Sequence, residues 1–321
     1  MQTLRKLLVV LSLVLGLWGG VWHPAIADPA LDTSEVELLA PTAPPVYGTA
    51  ANIALQKQQA AARGETLYTG DERKIGNGYV RVWVTHNAEG HPTRIGVTLT
   101  EGGLYNLPDD GDTGRENGQE AAALKLMDMI GHDTFEYELL FPPEAAETAY
   151  THMGFNWNPF GHAPQNVFTE GHYDVHFYME SPEYRHNIAK VSAATVLQGH
   201  KKPPSGYMPA NYQMAYGTLE PRMGIHWADF QSPQLKPGKF ENIFLFGSHN
   251  GRVLFWEPMI TRDYLLKKVE YRETLSQPKY YPSSKYYPLT YTLHYDQERH
   301  EFDIVLDDLV YRPGTPVVAA S

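Results

Sequence analysis

The segment GHYDVHFYME, Gly171 to Glu180, places His172, Asp174, His176, Tyr178 and Glu180 at alternate positions. Imidazoles and carboxylates at this interval are the side chains that bind transition metals or move protons. An ordinary exposed strand face is built from Thr, Lys, Glu and Ser instead. Tyr173, Val175, Phe177 and Met179 alternate with the polar row, so the segment reads as a half-buried strand with one polar face. A helix would set His172 and His176 one turn apart, but it would scatter the apolar residues around the cylinder. On a strand, residues two apart lie ~6.6 Å apart and residues four apart ~13 Å, whereas metal-to-nitrogen bonds are only about 2 Å. His172 and His176 are therefore not adjacent ligands unless the strand bulges or curves. Asp174 with one histidine is the easier pair. The other histidine then orients a ligand or transfers protons, and His172 and Glu180 are the candidates for acid-base work.

The remaining ligands must come from elsewhere in the chain. NWNPFGHAP, Asn156 to Pro164, delivers His162 from a turn-rich loop, RMGIHWAD delivers His226 and Asp229, and LFWEPMITRD places Glu257 among aromatic residues. An acid in such surroundings needs a partner. The expected ligand set for one divalent transition metal is drawn from His162, His172, Asp174, His176, His226 and Glu257. Zn, Mn, Fe and Cu all suit these donors. The plainer alternative is a hydrogen-bonded polar interior without metal. No His-Glu-x-x-His helix, phosphate loop or dinucleotide fingerprint is present, and FGSHNG lacks the spacing of a nucleophile elbow.

The elements that must position these groups follow from period-two patterning. Tyr79–Thr85 with Arg94–Thr100, the two runs flanking Asn250-Gly251, and Leu289–Tyr295 with Glu301–Leu309 read as hairpins. Shorter helices are expected at Asn52–Gly64, Gln119–Ile130, Pro143–Thr148 and Pro182–Lys190. Without an alternating strand-helix rhythm, the expected fold is mainly β: an antiparallel barrel of calycin or cupin-like kind, or a sandwich, with a few peripheral helices. Lys279-Tyr280-Tyr281-Pro282 recurs as Lys285-Tyr286-Tyr287-Pro288. The repeat reads as an extended loop whose rings either pack on the body or offer a surface to a ligand or a second subunit.

Residues 1–27 have the pattern of a signal peptide, with Arg5 and Lys6, an apolar run from Leu7 to Trp18, and Ala25-Ile26-Ala27 before Asp28. Residues 28–65 read as an extended arm with a short helix, and 66–321 as a single barrel-like domain. No later segment has the length and hydropathy of a membrane span, so the expected mature protein is soluble and exported, periplasmic or extracellular. The absence of cysteine excludes disulfides and thiolate sites. A net charge of −11 with no basic run argues against nucleic-acid binding.

The motifs FNWNPFGHAP, GHYDVHFYM, MGIHWAD and FLFGSHNGRVLFWEPMIT, in this order, resemble an uncharacterised family of exported bacterial β-barrel-like proteins. That family is a domain of unknown function typified by a thermophile protein. YVRVWVTHNAEGHPTRIGVTLTEGGLYNLP is similar to its opening strands. The resemblance runs from about Gly76 to Leu265 and implies a compact antiparallel barrel and export. It marks His162, His172, Asp174, His176, His226 and Glu257 as matching the family's polar motifs, and it implies no reaction. Tyr173 and Val175 stand where phenylalanines are expected, and the tail after about Lys267 lies outside the likeness. Cupin chemistry is an analogy only, because the close His-x-His pair is missing. Three functions follow as expectations: a metal-binding protein or metal-dependent enzyme, a metal-free protein that binds a small molecule or forms a homo-oligomer, and, more weakly, a carbohydrate-active enzyme using Asp174 and Glu257.

Overall fold

Alternating apolar residues organise two antiparallel sheets in a computed structural model that describes residues 49–108, 124–125, 134–189 and 192–315. The strands are β1 (Thr66–Ile75), β2 (Gly78–His86), β3 (Pro92–Thr100), β4 (Leu124–Lys125), β5 (Phe135–Leu140), β6 (His152–Asn158) and β7 (His172–Tyr178). They continue as β8 (Gln213–Glu220), β9 (Gly224–Ala228), β10 (Asn242–His249), β11 (Arg252–Thr261), β12 (Tyr271–Thr274), β13 (Lys285–Asp296) and β14 (Glu301–Arg312). The helices are α1 (Thr49–Ala62), α2 (Pro182–His186), α3 (Ala193–Gly199) and α4 (Arg262–Leu266). Residues 1–27 and most of the arm after them lie outside the described residues, as does the helix expected at 119–130 except for 124 and 125, which form β4.

One sheet has the order β1-β2-β3-β14-β13-β12 and the other β4-β5-β6-β7-β11-β10-β9-β8. Among the described residues neither sheet closes on itself, so of the two expected architectures, barrel and sandwich, the sandwich is formed. The three expected hairpins are β2–β3, β10–β11 and β13–β14. The second turns at Asn250 and Gly251, whose φ angles of 50° and 78° are the left-handed values that a two-residue turn between twisted strands requires. The second copy of the tyrosine repeat is not a loop, because β13 begins at Lys285.

Between the sheets, Val82, Val97, Ile304 and Leu293 from one side share a core with Phe155, Tyr173, Val175, Phe177 and Trp256 from the other. The tyrosine repeat belongs to this body: Tyr281 and Tyr287 are buried with ring centroids 4.5 Å apart, and Tyr280 and Tyr286 pack against the same core. On the far face of the six-stranded sheet, α1 docks through Gln56, whose amide donates to Thr98 Oγ1 at 3.0 Å and accepts from buried Arg81.

The far face of the eight-stranded sheet is the one that matters for chemistry. His172, Asp174, His176 and Tyr178 of β7 point away from the inter-sheet core and are nevertheless buried. Two smaller apolar clusters flank them. Phe168, Phe240, Ile243, Leu245 and Met259 form one, with Phe240 beside His172, and Tyr178, Ile188, Leu254 and Phe255 form the other, with Phe255 beside His176.

Candidate metal centre

All six expected ligand residues converge, but as two triads rather than one set. His162, His172 and Asp174 form the first, and His176, His226 and Glu257 the second. Within each triad the donor atoms lie within 4.8 Å of one another. The strand geometry explains the division, since Asp174 and His176 are neighbours on one face of β7, ~6.6 Å apart. Each therefore collects its own partners. His172 and His176 are not co-ligands, as their spacing requires.

Strand register supplies Glu257. The pairs Trp256↔Phe177 and Met259↔Asp174 fix β11 against β7, and the same register sets Glu257 opposite His176. His226 comes from β9, which is separated from β7 by two strands, yet its ring centroid lies 6.1 Å from that of His176. The sheet must curl to bring them together. Gly247 of β10 permits it, because a Cβ there would lie 2.0 Å from the Phe255 ring, which packs against both histidines. His162 reaches the first triad from the loop between β6 and β7.

The separations are those of atoms around an ion. His172 Nε2 lies 3.1 Å and His162 Nε2 3.5 Å from the Asp174 carboxylate, and the two Nε2 atoms are 3.0 Å apart. In the second triad, His176 Nε2 and His226 Nε2 lie 3.2 and 3.6 Å from the oxygens of Glu257. Donors bound to one ion at about 2.0–2.1 Å and at the tetrahedral angle lie roughly 3.3 Å apart.

Tautomers sharpen this geometry. A carbonyl oxygen only accepts, so His162 Nδ1 donates to Ala163 O at 2.8 Å, His172 Nδ1 to Glu170 O at 2.7 Å and His226 Nδ1 to Thr218 O at 3.1 Å. In a neutral imidazole each Nε2 then carries a lone pair. Lone pairs aimed at one another and at a carboxylate repel unless a proton or a metal cation stands between them. Such backbone anchoring of the distal nitrogen is how metal-bound histidines are held. Asn158 orients the first carboxylate by donating to Asp174 Oδ2 at 2.8 Å.

Electrostatics divides the triads further. Burial raises the Asp174 carboxyl, but His172 and His162 outweigh it and hold the group ionised, well below the usual range. Burial, with the charge of Asp174 adding to it, pushes Glu257 well up. Burial brings His176 down to about 3 and His226 down to about 4, so both are neutral and available as ligands at pH 7. His162 moves the other way: burial lowers it, but the hydrogen bond to Asp174 and that group's charge give a net rise.

Glu180 does not join either triad. It lies beyond the end of β7 and accepts from Arg252 at 3.0 Å. His172 is a triad member, and its proposed acid-base role gains nothing from its placement. Asp229 instead accepts from Asn211.

Sequence reasoning missed the neighbouring polar groups. Strand β6 presents His152, Asn156 and Asn158 on the face shared with the triads, alternating with Met153, Phe155 and Trp157 in the core. That alternation was the available signal, obscured by the turn residues that follow. Beyond Tyr178, Arg185 donates to both oxygens of Glu136 at 2.6 and 2.9 Å and also to Glu138, and Arg222 donates to Glu136 at 2.8 Å. Burial raises Glu136, but the two guanidinium groups overcome it and bring the carboxyl to about 2. Arg185 also lies over the Tyr178 ring, which stacks on His152 and His176.

The fold and site together define an antiparallel β-sandwich carrying two buried His-His-carboxylate groups. Residues 87–157 match a family model described as TTHB210-like, hypothetical protein TTHB210, which supports an uncharacterised family. The matched segment includes His152 and Asn156 but ends before His162, so it reaches none of the six triad residues. No curated protein and no solved structure matches the chain.

Proposed function

We propose that this is an exported metalloprotein that binds two divalent transition-metal ions, one in each triad, and uses them in metal-dependent catalysis. One observation carries the reading: three of the four histidines have Nδ1 committed to a backbone carbonyl, leaving Nε2 lone pairs converging on a buried carboxylate. Neutral imidazoles facing an ionised carboxylate are acceptors against acceptors, an arrangement that a metal ion joins and that hydrogen bonds join only where His162 or Glu257 keeps a proton. Three protein donors per ion leave positions for water or a substrate oxygen. Ions so bound lower the pKa of water or polarise an oxygen. Asp174 supplies charge, as does Glu257 once an ion displaces its proton, Asn158 fixes the first carboxylate, and the apolar clusters around Phe240 and Phe255 limit water around the site.

The metal-free alternative places a proton where the first ion would sit, as an imidazolium of His162 against Asp174. The raised affinity of His162 for a proton favours it. In the second triad both histidines are held neutral, and the proton would sit instead on the Glu257 carboxyl, which burial pushes well up and which lies 3.2 Å from His176 Nε2. Equilibrium dialysis of chelator-stripped protein against Zn(II), followed by elemental analysis, separates the two readings. The metal reading predicts two equivalents for the wild type and one each for His172→Ala and His176→Ala. Zinc absent from all three, with the wild type folded, would establish the metal-free reading.

A further inference from the structure

We infer that the two triads act as one two-ion centre for a small oxyanion, and that the Asn156 amide is the protein donor that holds it. The inference rests on the metal-binding reading and deepens it by naming the ligand class. Asn156 lies opposite Asp174 in the β6–β7 register and is fully buried. Neither its Oδ1 nor its Nδ2 has a hydrogen-bond partner among the described residues. Leaving both ends of a buried amide unpaired is costly, so the residue is placed for something that arrives.

Its direction is shown by Gly154, which pairs with His176. A Cβ on Gly154 would lie 3.6 Å from Asn156 Oδ1 and 3.7 Å from His176 Cβ. The Oδ1 end of the amide thus lies towards the row of His176, and because neither end is hydrogen-bonded, a half-turn of the amide presents Nδ2–H there without breaking a bond. Other buried polar atoms of this face, among them His152 Nε2, Asn158 Oδ1, His176 Nδ1 and Tyr178 Oη, also lack a hydrogen-bond partner among the described residues.

Charge names the ligand. Two divalent ions bring four positive charges, and Asp174 and Glu257 return two negative ones. The histidines are neutral as ligands. Glu136 and Glu138 next to the site are matched by Arg185 and Arg222. The charge of Glu220 reaches His162 and, even counted in full, leaves the loaded centre positive. A buried excess of positive charge calls for an anion. An oxyanion has the hard oxygens to bridge two ions and an acceptor for Nδ2–H. His162 and His226, one from each triad, are 18 and 17 % exposed and open the centre to solvent.

The test is calorimetric titration of Zn(II)-loaded protein with inorganic phosphate, with zinc measured in every sample. The expected result is one phosphate per chain, binding abolished by chelator, and affinity at least tenfold weaker in Asn156→Ala at unchanged zinc content. Asn156→Asp keeps the shape and replaces the donor by a like charge, so it should lose phosphate while retaining zinc, whether or not the alanine variant folds. Two zinc ions with no phosphate bound would overturn this inference and leave the metal reading standing, as would equal phosphate affinity in both variants. Absence of zinc from the wild type would overturn both.

Discussion

Each triad residue is held by a backbone contact or by strand register, and that is why residue types alone went far here. The β7 row could be read directly, because an unbroken apolar alternation fixes which side chains share a face. His162, His226 and Glu257 were recognisable as chemistry without a home. Their division between two triads was not legible, since it depends on the β7–β11 register and on how far β9 curls towards β7. His152 was passed over, and it gives a test of the electrostatics. Burial, with Arg185 adding to it, brings His152 down to about 3 from an ordinary value of 6.5. A histidine with a depressed folded pKa binds fewer protons folded than unfolded, so stability falls as pH drops below 6.5 and continues to fall towards 3. Between pH 6.5 and 5 this one group removes about 2 kcal/mol. Urea unfolding of chelator-treated wild type and of His152→Gln should therefore differ in pH dependence by that amount, with the variant the less sensitive. Parallel pH profiles would show that His152 titrates normally.

Strands position the site only because particular side chains are missing. Gly154 makes room for the Tyr178 ring, whose nearest atom a Cβ would meet at 2.8 Å, and Gly247 makes room for Phe255. Replacing Gly247 by alanine drives the Phe255 ring towards His176 and His226. The expected cost is about 1–3 kcal/mol of stability, with weakened zinc binding in the second triad and normal binding in the first. Equal loss from both triads, or none, would show that the curl of β9 does not depend on that contact. Hairpin turns were legible from Asn250-Gly251 and from alternation in β2, β3, β13 and β14. The strands β5, β6, β8 and β9 were not, because they are short runs of five to eight residues, with glycine interrupting β6 and β8.

A mainly β chain without cysteine must derive its stability from its core and from whatever binds its folded form. Barrel and sandwich share the same strand alternation. The difference lies in whether the edge strands meet, and among the described residues β4 and β8 do not pair, nor do β1 and β12. In the sandwich the second ion would tie β7, β9 and β11 together, and the first would tie β7 to the loop carrying His162. Ions that bind only the folded state should raise the melting midpoint, by about 2.7 kcal/mol for one site at free metal about 100 times its Kd. For a chain of this size that corresponds to roughly 4–5 °C. Coincident melting curves with and without chelator would deny the ions any structural share.

Anomalous X-ray scattering from crystals of the Zn(II)-loaded protein tests the central claim most directly. Two peaks should appear on the far face of the eight-stranded sheet, one bonded to His162 Nε2, His172 Nε2 and Asp174, the other to His176 Nε2, His226 Nε2 and Glu257. A map without a peak at either triad, from protein soaked in excess metal, would contradict the account and return the histidine row to a structural role.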